Sequence, residues 1–320
     1  MMNHSRNLSR TAVVRRSFLG VAAGVSVLLA VSACGSSSPL SSGSNTSGSA
    51  GGSLVVGSAN FPESATVAEI YAGALNAAGI KTTTKLNIGA REVYVKAVED
   101  GSIDVVPDYS GNLLGYVDPK STAVDPAAIL AALPAALPSG LGVLDAATAE
   151  DKDAMVVTAA TAAKYNLKSI EDLAKVCDKL TLAAPPEFAT RPEGLPGLKG
   201  KYGCVPAKFT PINDGGGPLT VKALLSNEVQ VADIFTTTPA IKDNNLVVLT
   251  DPKNNWLAQQ VVPLVKTSTV NAAATTALNN VSKLLTTADL IALNEEVSGS
   301  AKMDPAAAAA GWLKEKGITK

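Results

Sequence analysis

An internal repeat constrains this chain more than any other feature. Residues 95–111, VKAVEDGSIDVVPDYSG, return 126 positions later as VKALLSNEVQVADIFTT at 221–237. The same offset sets Asn87 on Asn213 and Gly89 on Gly215. Across 86–111 against 212–237 there are six identities: Asn87, Gly89, Val95, Lys96, Ala97 and Val105 with their partners. Conservative pairs include Ile103/Val229 and Tyr109/Phe235. Each copy reads as a short helix, a turn, an apolar strand, and an aromatic followed by hydroxyls. Open α/β sheets bind ligands in the crevice outside the carboxyl ends of their strands. Two such units therefore imply two lobes with matching walls, and Tyr109 facing Phe235 across a cleft. The alternative is chance recurrence of short helices in an alanine-rich chain, but the shared register extends well beyond the helix.

The flanking sequence alternates strands and helices. Leu54–Ser58 is a short buried strand, and Thr66–Ala78 places Val67, Ile70, Tyr71, Ala74, Leu75 and Ala78 at helical spacing. Lys81–Ile88 alternates as a strand, Val93–Asp100 is a helix stopped at Gly101, and Ile103–Val106 is a strand stopped by Pro107. The pattern restarts near Asp153, where Met155–Val157 is a strand and Ser169 caps a helix with Asp172 at its third position. Strands follow at Leu180–Ala183, Lys208–Thr210, Val229–Ile234 and Val261–Val265, and three alanine-rich helices occupy about 270–284, 286–297 and 304–315. This order predicts an α/β protein with largely parallel sheets.

The first 34 residues read as an export signal. A basic stretch (Arg6, Arg10, Arg15, Arg16) precedes the 16-residue apolar run Phe18–Ala33. That run is short of the roughly 20 residues a membrane span needs, and basic, apolar, small is the order of a secretory signal. Val31-Ser32-Ala33-Cys34 resembles a bacterial lipobox, with Cys34 the lipidated residue. The alternative is an ordinary cleaved signal with an incidental Cys. Arg15-Arg16-Ser17-Phe18-Leu19 resembles a twin-arginine signal, so export by the Sec or the twin-arginine route is open. Residues 35–53, rich in Ser and Gly, read as a flexible tether with a reach of about 24 Å.

Several function classes fall away. The only histidine is His4, inside the signal, so the exported body has no Ser-His-Asp or Cys-His chemistry. Without histidine most zinc sites are out as well, no cofactor is expected, and the net charge of −1 with no basic stripe in the body argues against a nucleic-acid partner. Cys177 and Cys204 form an even pair in an exported chain and read as a disulfide, the alternative being two separate buried thiols. A carboxylate pair such as Glu63 and Asp108 leaves an exported hydrolase as a competing reading.

Several segments jointly resemble the substrate-binding proteins of ABC-type osmoprotectant importers, which take up glycine betaine, choline, carnitine or proline. They are Gly57-Ser58-Ala59-Asn60-Phe61-Pro62-Glu63-Ser64, Gly101-Ser102-Ile103-Asp104, Asp108-Tyr109-Ser110-Gly111, Pro186-Glu187-Phe188 with Arg191 and Gly194–Leu198, and Val231–Phe235. The composition is similar to that of actinobacterial, mycobacterial-like members. The resemblance implies a two-lobed periplasmic-binding-protein fold of type II, with lobe 1 at 54–145 plus 255–320 and lobe 2 at 146–254. It implies a monomer that is not an enzyme, held by its lipid on the extracytoplasmic face of the membrane and delivering its solute to a permease and ATPase. Family members hold quaternary ammonium groups on aromatic faces by cation–π attraction.

The implied ligand-binding residues are Asn60, Phe61, Ser64, Arg91, Tyr109, Phe188, Phe235, Thr236 and Thr237. Arg91 follows Gly89, where family members carry small hydroxyl residues. Aimed into the cleft it would suit a carboxylate or oxygen-rich ligand, and otherwise it forms a salt bridge to Glu92 or Asp108. Phe235 lacks the hydroxyl of its mate Tyr109, and with two Trp, six Tyr and five Phe the chain has few aromatics for a full cage. A non-quaternary, oxygen-rich or aromatic solute is the runner-up ligand. The run 213–218 offers backbone N–H groups for an anion, with a structural turn as the alternative.

Overall fold

The computed structural model describes residues 53–320, all within one compact unit of the chain. The expected signal, Cys34 and the tether to residue 52 lie outside the described residues. Ten strands form two five-stranded sheets. The first contains β1 (Leu54–Ala59), β2 (Thr82–Gly89), β3 (Val105–Tyr109), β4 (Leu141–Val143) and, from far along the chain, β10 (Val261–Lys266), in the order β2-β1-β3-β10-β4. The second contains β5 (Asp153–Val157), β6 (Thr181–Ala184), β7 (Lys208–Pro211), β8 (Val231–Phe235) and β9 (Val247–Val248), in the order β7-β6-β8-β5-β9. The two orders are the same topology written twice.

The repeat accounts for this correspondence to the residue. β2 begins at Thr82 and β7 at Lys208, and β3 and β8 run 105–109 and 231–235, each 126 apart. The same hydrogen bonds recur at the same offset. The Asp104 carboxylate accepts from Val55 N at 2.7 Å while Asp104 N donates back to the Val55 carbonyl. Likewise the Gln230 amide oxygen accepts from Thr181 N at 3.0 Å while Gln230 N donates to the Thr181 carbonyl. Each clamp pins the turn after the helix to the neighbouring strand, so the register of the central strands is fixed in the same way in both sheets.

Two expectations are corrected. The sheets are mixed rather than largely parallel. β1 pairs parallel with β2 and β3, and β6 with β7 and β8, but β10 runs antiparallel to β3 and β4, and β5 antiparallel to β8 and β9. β5 and β10 are the strands on which the chain arrives from the other sheet, so they enter from the opposite end. Pro107 also does not stop β3, which continues through it to Tyr109. Pro107 faces Pro263 across the antiparallel pair, and the Pro263 carbonyl is turned to Leu144 N on the other side. At such a non-hydrogen-bonded position neither strand needs the N–H that proline lacks.

The helix after β1 starts at Pro62, four residues earlier than its apolar spacing indicates, because proline suits the first helical turn. Gly101 ends the helix Arg91–Asp100 at φ +82°, a left-handed cap that an L side chain rarely adopts. Ser169 and Asp172 form the expected capping box. The last three helices, Ala272–Leu284, Thr287–Ser298 and Pro305–Glu315, bury Leu278, Leu290, Trp312 and Leu313 in one core with Val67, Ile70 and Tyr71 of the helix Pro62–Ala77. The second sheet carries its own core around Met155, Leu182, Phe188 and Trp256, where the Cys177–Cys204 disulfide is formed (Cα–Cα 5.4 Å). No helix among the described residues is long and apolar enough to cross a membrane.

Candidate functional site

The carboxyl edges of the two sheets face each other across a cavity of ≈60 Å³. On the first-sheet side it is lined by Asn60 and Phe61 beyond β1, Arg91 and Tyr94 beyond β2, and Tyr109 at the end of β3. The second-sheet side presents Pro185–Phe188 beyond β6, Asn213 and Gly215 beyond β7, and Asp233 and Phe235 on β8. Asp151 and Trp256 come from the two segments that cross between the sheets, and Asp153 opens β5. Small-molecule pockets usually measure roughly 300–1,000 Å³, so the halves stand closed here.

Side chains from both halves meet directly. Asn60 Nδ2 donates to Asn213 Oδ1 at 2.8 Å, and Asn112 Nδ2 to Asp153 Oδ2 at 2.8 Å. Arg191 donates two parallel bonds to Glu92, both at 3.1 Å. Thr237 Oγ1 donates to Glu63 Oε2 at 2.6 Å.

Aromatic rings form the walls in two groups. Phe61 stacks against Tyr109 at 6.0 Å and meets Phe235 edge-on at 5.1 Å, which places it between the two repeat-related aromatics. Phe188 lies 6.3 Å from Trp256. The Tyr109 hydroxyl does not face a ligand, since it donates to Glu63 at 2.5 Å. Phe235, its repeat mate, has no hydroxyl to make such a bond. Beyond Phe61 and Phe235 lies a second, more apolar cavity of ≈540 Å³, bordered by Glu63, Thr237 and Asn294.

The charges are arranged unevenly. Arg91 lines the cleft, but its Nη2 sits 2.8 Å from Asp108 Oδ1 and its Nε donates to the same carboxylate at 3.1 Å. Asp108 is fully buried and committed to Arg91. Glu63 is buried too. Burial pushes its pKa up, against the bonds it accepts from Thr237, Tyr109 and Asn294. Burial likewise raises Asp151 well above the usual carboxylate range, helped by the nearby charge of Glu63. Asp233 is raised by burial and then by Asp153 beside it, and Glu193 by burial.

Of the residues anticipated for ligand binding, Asn60, Phe61, Arg91, Tyr109, Phe188 and Phe235 converge on the cleft. Ser64, Thr236 and Thr237 do not. Ser64 Oγ accepts from Ala59 N at 3.0 Å and holds the turn after β1. Thr236 Oγ1 accepts from Lys152 N at 3.0 Å, as Ser110 Oγ accepts from Gln260 N at 3.1 Å one repeat earlier. The hydroxyl after each aromatic therefore ties its strand to the arriving one. The 213–218 turn is not open to an anion either: Asp214 itself accepts from Leu219 N at 2.6 Å and Thr220 N at 3.1 Å. Sequence reasoning missed Tyr94, Asp151, Asp153, Glu193, Asp233 and Trp256. The acidic run Glu150-Asp151-Lys152-Asp153 just before the restart was the one visible signal for the crossing residues.

Comparisons with known proteins agree with this architecture. Residues 52–315 match the OpuAC family model, described as the substrate binding domain of ABC-type glycine betaine transport system. The glycine betaine-binding protein YehZ of Escherichia coli is 27% identical over 278 residues, covering 83% of this chain and 91% of that protein. A solved glycine betaine/carnitine/choline ABC transporter structure superposes with TM-score 0.65 at 22% identity, over 83% of this chain and 99% of that one. Lactococcal OpuAC, closed on glycine betaine, superposes with TM-score 0.59 at 16% identity, over 82% and 95%. These likenesses give the fold as the two-lobed, type II periplasmic-binding architecture. With two repeat-related sheets closing an aromatic, acid-rich cleft and a family match over most of its length, the chain belongs to the substrate-binding-domain family of ABC-type glycine betaine transport systems.

Proposed function

We propose that this chain is the extracytoplasmic receptor that captures a small compatible solute of the glycine betaine, choline, carnitine or proline type and delivers it to an ABC permease. The family is one of transport proteins rather than enzymes. The observation that carries the reading is the closed interlobe cleft, with Phe61, Tyr109 and Phe235 in one aromatic group and Phe188 with Trp256 in another. Aromatic faces attract quaternary ammonium groups by roughly 0.5–2 kcal/mol each, and the surrounding carboxyl groups add attraction of the same sign.

In this reading lobe 1 is 54–145 plus 255–320 and lobe 2 is 146–254, with the two crossings as the hinge. Asn60, Phe61, Arg91, Tyr109, Phe188 and Phe235 form the binding set, Arg91 as the partner of Asp108 rather than of the solute. The protein acts as a monomer, exported by the Sec or twin-arginine route and lipid-anchored at Cys34. Calorimetric titration with glycine betaine, choline, carnitine, proline and uncharged polyols tests the function, with small-angle scattering to follow closure. Binding of polyols but of no quaternary amine would sink the osmoprotectant assignment. Turnover of any solute would sink the receptor role itself.

A further inference from the structure

We propose that the apolar cavity beyond Phe61 and Phe235 is a second binding site, separate from the cleft, for a primary amine on a compact apolar body, with Glu63 receiving the ammonium group. The inference does not depend on which solute the cleft takes. Its first ground is an asymmetry in the repeat. On one flank of the cleft, Arg91 and Glu92 open a helix, Glu92 meets Arg191 of the other half, and the space left is ≈140 Å³. At the 126-residue offset their mates are Gly217 and Pro218, where the helix Pro218–Leu225 begins. Neither mate has a side chain that could reach across, and this flank keeps a cavity of ≈540 Å³. That lies inside the range of about 300–1,000 Å³ usual for small-molecule sites.

Both halves line this cavity, Pro62, Glu63 and Asn294 from the first and Val221, Leu225 and Pro239 from the second. Phe61, Gly215 and Phe235 border it and the cleft alike. Gly215 stands so near Phe61 that an added Cβ would come within 2.8 Å of the Phe61 Cβ. That close approach and the ring pair at 5.1 Å make the partition between the two spaces.

The second ground is a buried acid with no cation. Glu63 is 4% exposed, and its donors are neutral: the Tyr109 hydroxyl at 2.5 Å, Thr237 Oγ1 at 2.6 Å and Asn294 Nδ2 at 2.6 Å. Asp151, buried as well, is hydrogen-bonded to Glu63, and two carboxyl groups do this by sharing one proton. The pair then keeps one negative charge, and among the described residues no Lys or Arg forms a salt bridge with either member. Asn294 adds an acceptor at the same end, since it is 6% exposed and its Oδ1 has no hydrogen-bond partner.

These features select the ligand class. A buried carboxylate is stabilised by a cation that also donates hydrogen bonds. A primary ammonium does both, whereas a quaternary ammonium has no N–H and keeps its charge behind methyl groups. Phe61, Phe235, Val221 and Leu225 suit an aryl or short alkyl body. Lys222 and Asp243, also in the lining, are exposed and opposite in sign, so they add no net charge to the demand.

The test is isothermal titration of the full chain in mild detergent with phenethylamine, phenethyl alcohol and phenethyltrimethylammonium. The amine is expected to bind tightest, with the alcohol and the quaternary analogue each at least tenfold weaker. Glu63→Gln should weaken the amine at least tenfold and the alcohol less than threefold, a selective change that a loss of fold would not produce. Ala240→Trp and Ser298→Trp fill the cavity from opposite halves, and each should weaken the amine at least tenfold. If one of these fails to fold the other decides, and if both fail the ranking and the Glu63→Gln selectivity decide. Amine affinity unchanged by the fillers, an alcohol or quaternary analogue as tight as the amine, or no amine binding at all overturns the second site. None of these results touches the receptor reading, which titration with glycine betaine and choline decides on its own.

Discussion

Replacing Arg91 separates a structural role from a ligand-binding one. Arg91→Met keeps the length and apolar stem of the side chain but leaves the Asp108 carboxylate, 0% exposed, without its cation. Tyr109 N still donates to it at 2.7 Å. Removing one partner of a buried ion pair typically costs about 3–5 kcal/mol, because the other charge stays buried. For a body of this size each kcal/mol shifts Tm by about 2–4 °C, so a fall of roughly 10 °C is expected. Pairing the change with Asp108→Asn removes the stranded charge and should restore at least half of the loss, a non-additivity that contacting residues show. Scanning fluorimetry on the three variants reads the stability, and calorimetry should find choline and glycine betaine weakened by the same factor in Arg91→Met. If Tm instead stays within about 2 °C while only carboxylate ligands are lost, Arg91 is a ligand clamp and the charge argument for the cleft fails.

Three further outcomes are expected. Glu63, Asp151 and Asp233 all have folded pKa values raised by burial. Their contribution to stability is complete below the ordinary carboxyl range near pH 4 and is lost as pH climbs through the raised values, so Tm of the unliganded protein should fall between pH 5 and pH 8. Asp172, held at about 2 by the hydrogen bond from Lys175, slopes the other way only in more acidic solution; a flat or rising Tm from pH 5 to 8 contradicts the prediction. Reducing Cys177–Cys204, 27 residues apart, should cost about 3.6 kcal/mol on the chain-entropy model, seen as a Tm drop on adding dithiothreitol that a Cys177→Ser/Cys204→Ser variant does not show. Finally, a Cβ on Gly194 would run into the backbone carbonyl of Phe188, so Gly194→Ala should displace that cleft wall at about 1–3 kcal/mol of stability and weaken choline binding tenfold or more. Gly200→Ala, with nothing within 4 Å of its Cβ, is the control, and equal behaviour of the two would show that the Phe188 segment does not depend on that close approach.

Much of the fold was legible because its signals are local. The 126-residue offset marked both sheets, Gly101 marked a helix end, and Ser169 with Asp172 marked a helix start. The antiparallel strands β5 and β10 were not legible as such, since strand direction depends on where the chain arrives from rather than on its residues. The site was half legible for a related reason. Tyr109 and Phe235 stood out as repeat mates, but the purpose of the Tyr109 hydroxyl depends on Glu63, 46 residues away. Thr236 and Ser110 were noticeable as hydroxyls following aromatics, yet their partners, Lys152 and Gln260, sit just ahead of strands β5 and β10, which only the fold brings alongside.

The sequence by itself determined two repeat-related α/β halves, the two cysteines that can be joined, the absence of histidine chemistry from the body, and an aromatic at the edge of each central strand. Periodicity, caps and residue types are properties of neighbours along the chain, and they survive without coordinates. Only the tertiary structure decided what the cleft would attract. The sequence leaves Arg91 between a ligand clamp and a salt bridge, and the fold pairs it with Asp108, while Asp151 and Asp233 read as ordinary charges and become buried acids. Burial and pairing set the effective charge of a side chain, and both depend on which distant segments pack together.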